Sequence, residues 1–384
     1  MPDAPDVPEA SVITSAGPES FPHSVLAERH PALIRRVRDA FPYGPGQHRA
    51  LDALLESAVE GTVEALDGDA WWAAWGVDAY VGRSWFEVPF LWSESYFYRR
   101  LLRAVGYFGP GPWQGVDPFR PFKLAELAGP EAREEITALD RLGALSPEEQ
   151  RTALLHGSLW GNRADLGFRI QKDDGEASVA ELVADDGDAL WRLLTGAGTL
   201  VLVADNAGRE LVPDLLLVDH LLLHGHIERA VLHVKPYPYY VSDATTADVV
   251  DAVRHLTDAG TEHGRRLWAA LADGRITLRA HPFSCGPLPY AELPDDLRAE
   301  FAAADVTVMK GDLNYRRLVG DRRWPPTTPF ADVTAYFPGP VAALRTLKSD
   351  VITGLAPDTE ARLVAAEGQR WRTSGTHALI QVRP

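Results

Sequence analysis

VLVADNAGRE, residues 201–210, decides the fold reading. The chain is apolar from Thr199 to Ala204 and then stops at Asp205-Asn206. A short apolar run bounded by turn residues predicts a strand buried on both faces. HVKPYPYYVSD, residues 233–243, repeats the pattern: a strand over Ala230–Val234, then Lys235, then a loop that reaches Asp243. A third strand, Val306–Met309, runs into KGDLNYRRL, residues 310–318. Ligands of open α/β sheets bind beyond the carboxyl ends of the strands. Asp205, Asn206 and Asp243 offer two carboxylates and an amide carbonyl there. Such hard oxygen donors suit Mg²⁺, Mn²⁺ or a similar divalent ion. Metal-assisted chemistry on a phosphate is the first hypothesis. An Asp at a strand end also serves as a helix N-cap. The second acid in an equivalent place, with Ser242, Thr245 and Thr246 nearby, favours the metal.

Outward from these strands the chain has two rhythms. After Gly198 strands and helices alternate: helices over Glu210–Leu223, Ala247–His255, Gly260–Asp273 and Pro294–Ala304, and further strands over Arg275–Ala280, Val333–Phe337 and His377–Val382. The alternation predicts a Rossmann-like α/β domain, a parallel sheet between helices, over residues 198–384. Residues 23–197 read as a helical amino-terminal domain. Its helices are expected at His30–Ala40, Gln47–Leu66, the aromatic Pro89–Tyr107, Pro130–Leu142, Pro147–Leu155 (opened by SPEE) and Asp186–Gly196. Residues 1–22, rich in Pro, Ser, Asp and Ala, read as disordered or extended.

Composition narrows the function. A chain of 384 residues is long for one core, so two units are expected. The net charge of −16 argues against a general nucleic-acid or anionic-membrane binder. A single cysteine, Cys285, excludes an internal disulfide framework and a cysteine-rich zinc site. The first residues show neither a basic start nor an apolar run, and no stretch reaches the roughly 18 apolar residues of a membrane span. A cytoplasmic protein is the expectation.

The second unusual stretch is KGDLNYRRLVGDRRWPPTTPF, residues 310–330. It gathers Lys310, Arg316, Arg317, Arg322 and Arg323 in an acidic chain, with Asp312 and Asn314 among them. Arginine grips phosphate oxygens bidentately. A solvated charged loop accounts for Arg322-Arg323, but poorly for the polar and aromatic residues Asp312–Arg316 directly after a buried strand. Arg345 and Lys348, three apart, share one face if RTLK is helical, and then read as ordinary surface cations. His220 and His224 have a zinc-like spacing, but on an apolar helix with no Glu between them they read as packing or surface residues. GPGPWQG, residues 109–115, lacks the flanking strand and helix of a dinucleotide fingerprint. There is no GxSxG elbow.

Together, ADNAGRELVPDLLLVDHLL, VKPYPYYVSDATTAD, KGDLNYRRLVGDRRWPPTTPF and RTLK resemble the damage-control phosphatase family, once catalogued as domain of unknown function eighty-nine. They are most similar to its third, acidic-residue-methyltransferase-like subfamily, whose signature is RTxK. WFEVPFLWSESYFYRRL and LWGNRADL resemble further family segments, with Ser95 in place of a usual Cys and Gly167 in place of Ser. The resemblance implies a helical domain on a Rossmann-like α/β/α domain. It implies a divalent metal (manganese, cobalt, nickel or magnesium) on Asp205, Asn206 and Asp243. It implies substrate contacts from Asp312, Leu313, Asn314, Tyr315, Arg316, Glu210 and Lys348, with Asp205, Arg316 and Lys348 catalytic. Lys235, Arg316 and Lys348 are expected to make the pocket positive. The implied activity is metal-dependent hydrolysis of small phosphometabolites such as sugar phosphates. The attacking group is a water or, as a variant, Asp205. A carboxyl methyltransferase using S-adenosylmethionine is the alternative within the family, although the chain shows no glycine-rich strand-to-helix turn. A non-catalytic metabolite-binding protein is a third reading, which expects lost ligands.

Overall fold

The computed structural model describes residues 10–129, 142–160 and 181–384. A single sheet organises the chain: β1 (Glu181–Asp185), β2 (Ala197–Val203), β3 (Ile227–Val234), β4 (Ile276–Ala280), β5 (Val306–Lys310), β6 (Val341–Thr346) and β7 (His377–Arg383). The order across it is β1-β7-β6-β5-β2-β3-β4. β2 to β6 are mutually parallel. β7 runs antiparallel to β6, and β1 is parallel to β7, so these two reverse the expected all-parallel direction.

The apolar run of β2 is explained by its two faces. Side chains alternate along a strand. Leu200 and Leu202 enter the core beneath the helices Gly187–Leu194, Leu211–Leu223, Thr246–Asp258 and Glu262–Ala272. Val201 and Val203 enter the opposite core, beneath Asp295–Ala302, Gly311–Val319 and Pro357–Glu367. With helices on both sides, every β2 side chain from Leu200 to Val203 is buried, and only apolar residues suit such a strand. The result is a three-layer α/β/α arrangement.

The helices His30–Ala40, Pro45–Val59 and Phe90–Val105 form a third core, rich in aromatic side chains. Tyr239, Cys285 and Leu313 belong to it, and they lie beyond the carboxyl ends of β3, β4 and β5 respectively. The helical part therefore sits over the strand ends. Residues from the expected extended start tie the helical part to the α/β part, and Ile13 packs in the second core. Phe90 N donates to Ile13 O at 2.8 Å, and Arg323 N to Ser11 O at 2.9 Å.

Some local readings need correction. Val341–Leu344 and RTLK are not helical: Val341–Thr346 is β6, so Arg345 and Lys348 share no helical face. Val333–Phe337 is not a strand but the end of a short helix, Phe330–Val333, and the turn after it. β1 comes before residue 198, so the sheet recruits chain from the region read as helical. The Pro130–Leu142 helix, apart from Leu142, and LWGNRADL after Trp160, with Gly167, lie outside the described residues. No helix among the described residues is long and apolar enough to cross a membrane.

Candidate active site

From β2 the chain moves to β3 and β4 on one side, and from β5 to β6 on the other. The neighbours β2 and β5 thus flank the topological switch point, where a crevice opens at their carboxyl ends. Asp205 follows β2, and Gly311-Asp312 follows β5.

The loop after β3 is fastened to the loop after β2 by its backbone. Ala244 N donates to Asp205 O at 2.8 Å, Ala207 N donates to Ser242 O at 2.6 Å, and Asn206 and Asp243 form an isolated bridge. Tyr240 and Val241 sit at φ 43° and 65°. A β-branched residue rarely adopts that left-handed conformation, so the loop is strained where it presents Asp243. Ser242 Oγ donates to Asn206 Oδ1 at 2.7 Å. Asn206 Nδ2 donates to Asp205 Oδ2 at 3.2 Å and to Glu210 Oε2 at 2.7 Å. These bonds fix which end of the amide faces which group.

Burial pushes the Asp205 carboxyl well above the usual range, Asp243 pushes it further, and Lys348 pulls it back. Burial likewise raises Asp243, against the pull of Lys235. Asp243 Oδ2 lies 3.3 Å from Lys235 Nζ, yet makes no hydrogen bond with the described residues. Two carboxylates that repel each other, Asp205 half-buried and Asp243 buried with an unbonded oxygen, form a place for a cation. No trio of His, Cys, Asp or Glu among the described residues is disposed to hold a metal. The third donor is instead the Asn206 carbonyl. This set of few protein oxygens, with water completing the shell, fits a hard divalent ion.

Behind Asp243 stands a support that the sequence did not announce. Lys123 Nζ donates to Asp243 O at 3.1 Å, Asp248 Oδ2 at 2.8 Å and Asp117 Oδ2 at 3.1 Å. Asp248 also accepts from Thr245 N and Oγ1, capping the Thr246–Asp258 helix.

The residues after β5 divide into two groups. Asp312 faces the crevice. Its Oδ1 accepts from Arg345 Nε at 2.8 Å, Ser349 Oγ at 3.0 Å and Lys348 N at 3.3 Å. Burial would raise this carboxyl, but Arg345 and then Arg316 outweigh it and hold it below the ordinary value. Asn314 and Tyr315 turn inward. Asn314 Nδ2 ties Ala204 O to Lys310 O, at 3.1 and 2.8 Å. Tyr315 Oη bonds Thr353 and Gln381 in the core. Leu313 is part of the apolar wall.

The cations of this stretch are mostly committed elsewhere. Arg316, expected on the phosphoryl group, spends its guanidinium on Asp321 (2.7 and 3.1 Å) and Glu94 (2.8 Å) and lies over the Phe90 ring. Arg317 is buried on three backbone carbonyls. Lys310 pairs with Asp214 at 3.0 Å. Lys235 is held at Asp243. Of the three cations expected to make the pocket positive, Lys348 is the exposed one.

Among the described residues, two adjoining cavities of about 420 and 500 Å³ open here. Asp205, Asn206, Asp312 and Lys348 border both. Asp243 borders the larger and Glu210 the smaller. The crevice therefore gathers the acids, the amide and the RTLK lysine, while leaving Asn314 and Tyr315 out.

The Damage-control phosphatase ARMT1-like domain matches residues 25–363. The chain belongs to this family. Similar relatives include damage-control phosphatase ARMT1 of Mus musculus, 32% identical over 77% of this chain and 74% of that protein. The Danio rerio protein is 30% identical over 78% and 74%, and the Homo sapiens protein 30% identical over 77% and 75%. A solved structure of a DUF89 family protein from Pyrococcus horikoshii covers 87% of this chain and 91% of its own, at 17% identity and a TM-score of 0.47. The damage-control phosphatases are generally metal-dependent enzymes.

Proposed function

We propose that this chain is a metal-dependent phosphomonoester hydrolase acting on small phosphorylated metabolites such as sugar phosphates. The ion, manganese, cobalt, nickel or magnesium, would be held by Asp205, Asn206 and Asp243. The observation that carries the reading is the pair Asp205 and Asp243, a half-buried and a buried carboxylate on loops fastened together at the switch point, with the charge of Lys348 acting on Asp205. A bound divalent ion would supply charge neutralisation at the phosphate oxygens. The protein's own residues supply position and a second positive charge. Glu210 and Ser242 hold the Asn206 amide. Asp312 holds the backbone of Lys348, so that its ammonium meets the phosphate at the junction of the two cavities. Water attacks phosphorus and the ester P–O bond breaks. The alcohol leaves with a proton, and the water oxygen stays on inorganic phosphate. Phosphoryl transfer asks little more than positioning and electrostatics.

The test is phosphate release from a panel of phosphosugars with Mn²⁺, Co²⁺, Ni²⁺ or Mg²⁺ and with chelator. Release that requires one of these ions is expected. No release with any ion, or undiminished release in chelator, overturns the reading.

A further inference from the structure

At the opposite end of the sheet from the crevice, three imidazoles crowd together. His220 lies in the last turn of the Leu211–Leu223 helix, and His224 follows it at i+4, on the same side. At Gly225, φ +66°, the chain reverses: His226 N donates to Leu221 O at 2.8 Å and Gly225 N to Leu222 O at 3.3 Å. This glycine-closed helix end carries His226 back beside the helix, one residue before β3. The ring centroids are 4.4 Å apart for His220 and His224, 6.0 Å for His220 and His226, and 6.3 Å for His224 and His226. Trp191 packs against His226 at 5.4 Å and His220 at 6.0 Å, which explains those two rings but not the exposed His224. Asp219, the neighbour of His220, is committed to Arg266 and His263.

We propose that His220, His224 and His226 form a second metal site, for an imidazole-preferring divalent ion such as Ni²⁺, Cu²⁺ or Zn²⁺. A ring bound through a metal–nitrogen distance of about 2.0–2.1 Å has its centroid about 3.2 Å from the ion, so two rings on one ion have centroids roughly 4.5–5.5 Å apart. The observed separations bracket that range. No trio among the described residues is already disposed round an ion, so the rings turn on binding. His224 is exposed and the other two are half-buried, so the turn displaces no core residue. Burial, then His224 and His226, hold His220 down to about 4, and burial also lowers His226, which keeps both rings neutral and their lone pairs free at neutral pH. The cluster stands at the amino ends of β2 and β3, where Gly196 N donates to His226 O at 2.9 Å. The 7 residues of β2, at about 3.3 Å each, set it about 20 Å from the crevice. The oxygen donors of the crevice suit hard ions such as Mg²⁺, and the imidazoles suit softer ones. An ion on the three rings ties the helix end to the start of β3, and its effect is on stability and not on turnover. The site is independent of the phosphatase reading.

The test uses the untagged full chain and its Asp205→Ala variant, which lacks a proposed crevice ligand, each with and without His224→Ala. Titration calorimetry with Ni²⁺ and electron paramagnetic resonance of bound Cu²⁺ are the readouts. Asp205→Ala is expected to keep one Ni²⁺ site and to bind Cu²⁺ with nitrogen hyperfine splitting. Adding His224→Ala should weaken Ni²⁺ binding at least about tenfold, since one of three ligands is gone, and reduce the nitrogen splitting. Ni²⁺ affinity and a Cu²⁺ spectrum both unchanged by His224→Ala overturn the inference, and so does an Asp205→Ala protein that binds no Ni²⁺. If Asp205→Ala does not fold, the nitrogen splitting of the wild type against that of His224→Ala, an exposed position, decides the matter.

Discussion

The backbone of Gly311 closes so tightly on Asp205 that a Cβ at this position would fall within the Asp205 carboxyl group. Gly311 also sits at φ +81°, where an L side chain is strained. The glycine that opens the helix after β5 is thus what lets the two strand ends of the switch point meet.

Gly311→Ala is accordingly expected to act on the site more than on the fold. The left-handed conformation costs about 1–2 kcal/mol. The larger effect is displacement of Asp205, with loss of metal-dependent phosphate release. Thermal melts with and without metal, beside activity, separate the two. An alanine variant with wild-type activity would show that the chemistry does not depend on where Asp205 stands.

Asp205 and Asp243 repel each other in the absence of a cation. Asp205→Asn removes that repulsion along with a proposed ligand. Its metal-free melting temperature is expected to equal or exceed that of the wild type. In the wild type, a metal at a hundred times its Kd adds about 2.7 kcal/mol of stability. In Asp205→Asn most of this gain should vanish. Equal metal-induced shifts in both proteins would place the ion elsewhere.

How far the sequence carried these conclusions depends on the range of the signal. β2, β3 and β5 were legible because both faces are buried, which leaves a continuous apolar run ending in polar residues. β6 was missed because four apolar residues before RTLK carry no period that separates strand from helix. The cations of residues 310–317 read as a surface patch, since nothing local tells that Lys310 will meet Asp214, or that Arg316 will meet Glu94 from 222 positions away. Asp205, Asn206 and Asp243 could be named as candidates because each is local to a strand end. Lys123, Glu94 and Arg345 could not, because their partners are supplied by tertiary packing. The faint signal for Arg345 and Glu94 was a charge inside an apolar or aromatic run.

The Asp312–Arg345 pair should give a pH-dependent part of stability. Arg345 is fully buried, with Nη2 2.7 Å from Asp312 Oδ1. The folded-state carboxyl lies below its ordinary value, so the pair's contribution is complete above the unfolded value of about 3.9. It is lost as pH falls through the lower folded value. Arg345→Met should cost up to about 3 kcal/mol at pH 7, because it strands a largely buried carboxylate at the crevice wall. The deficit should shrink in acid. Urea unfolding of both proteins across this pH range checks it, and a deficit that stays constant into acid would assign the cost to packing alone.

The last prediction concerns Lys348, which lies two residues beyond β6 and not on a helix. As a mere surface cation it would add little to activity. Its charge acts on Asp205, however, and it borders both cavities. A charge-assisted hydrogen bond to a phosphate there is worth about 1.5–3 kcal/mol, roughly ten- to a hundred-and-fifty-fold. Lys348→Met keeps the aliphatic stem and removes the charge. Catalytic efficiency is expected to fall at least about tenfold. Metal affinity should not weaken, because a cation beside Asp205 opposes a second one. Lys348→Arg should rescue only in part, since a planar guanidinium does not replace a compact ammonium. Titration calorimetry with the metal and steady-state kinetics on the best phosphosugar read the two effects separately. Wild-type efficiency in Lys348→Met would return this lysine to the surface and leave Asp205, Asn206 and Asp243 to carry the phosphate chemistry through the metal alone.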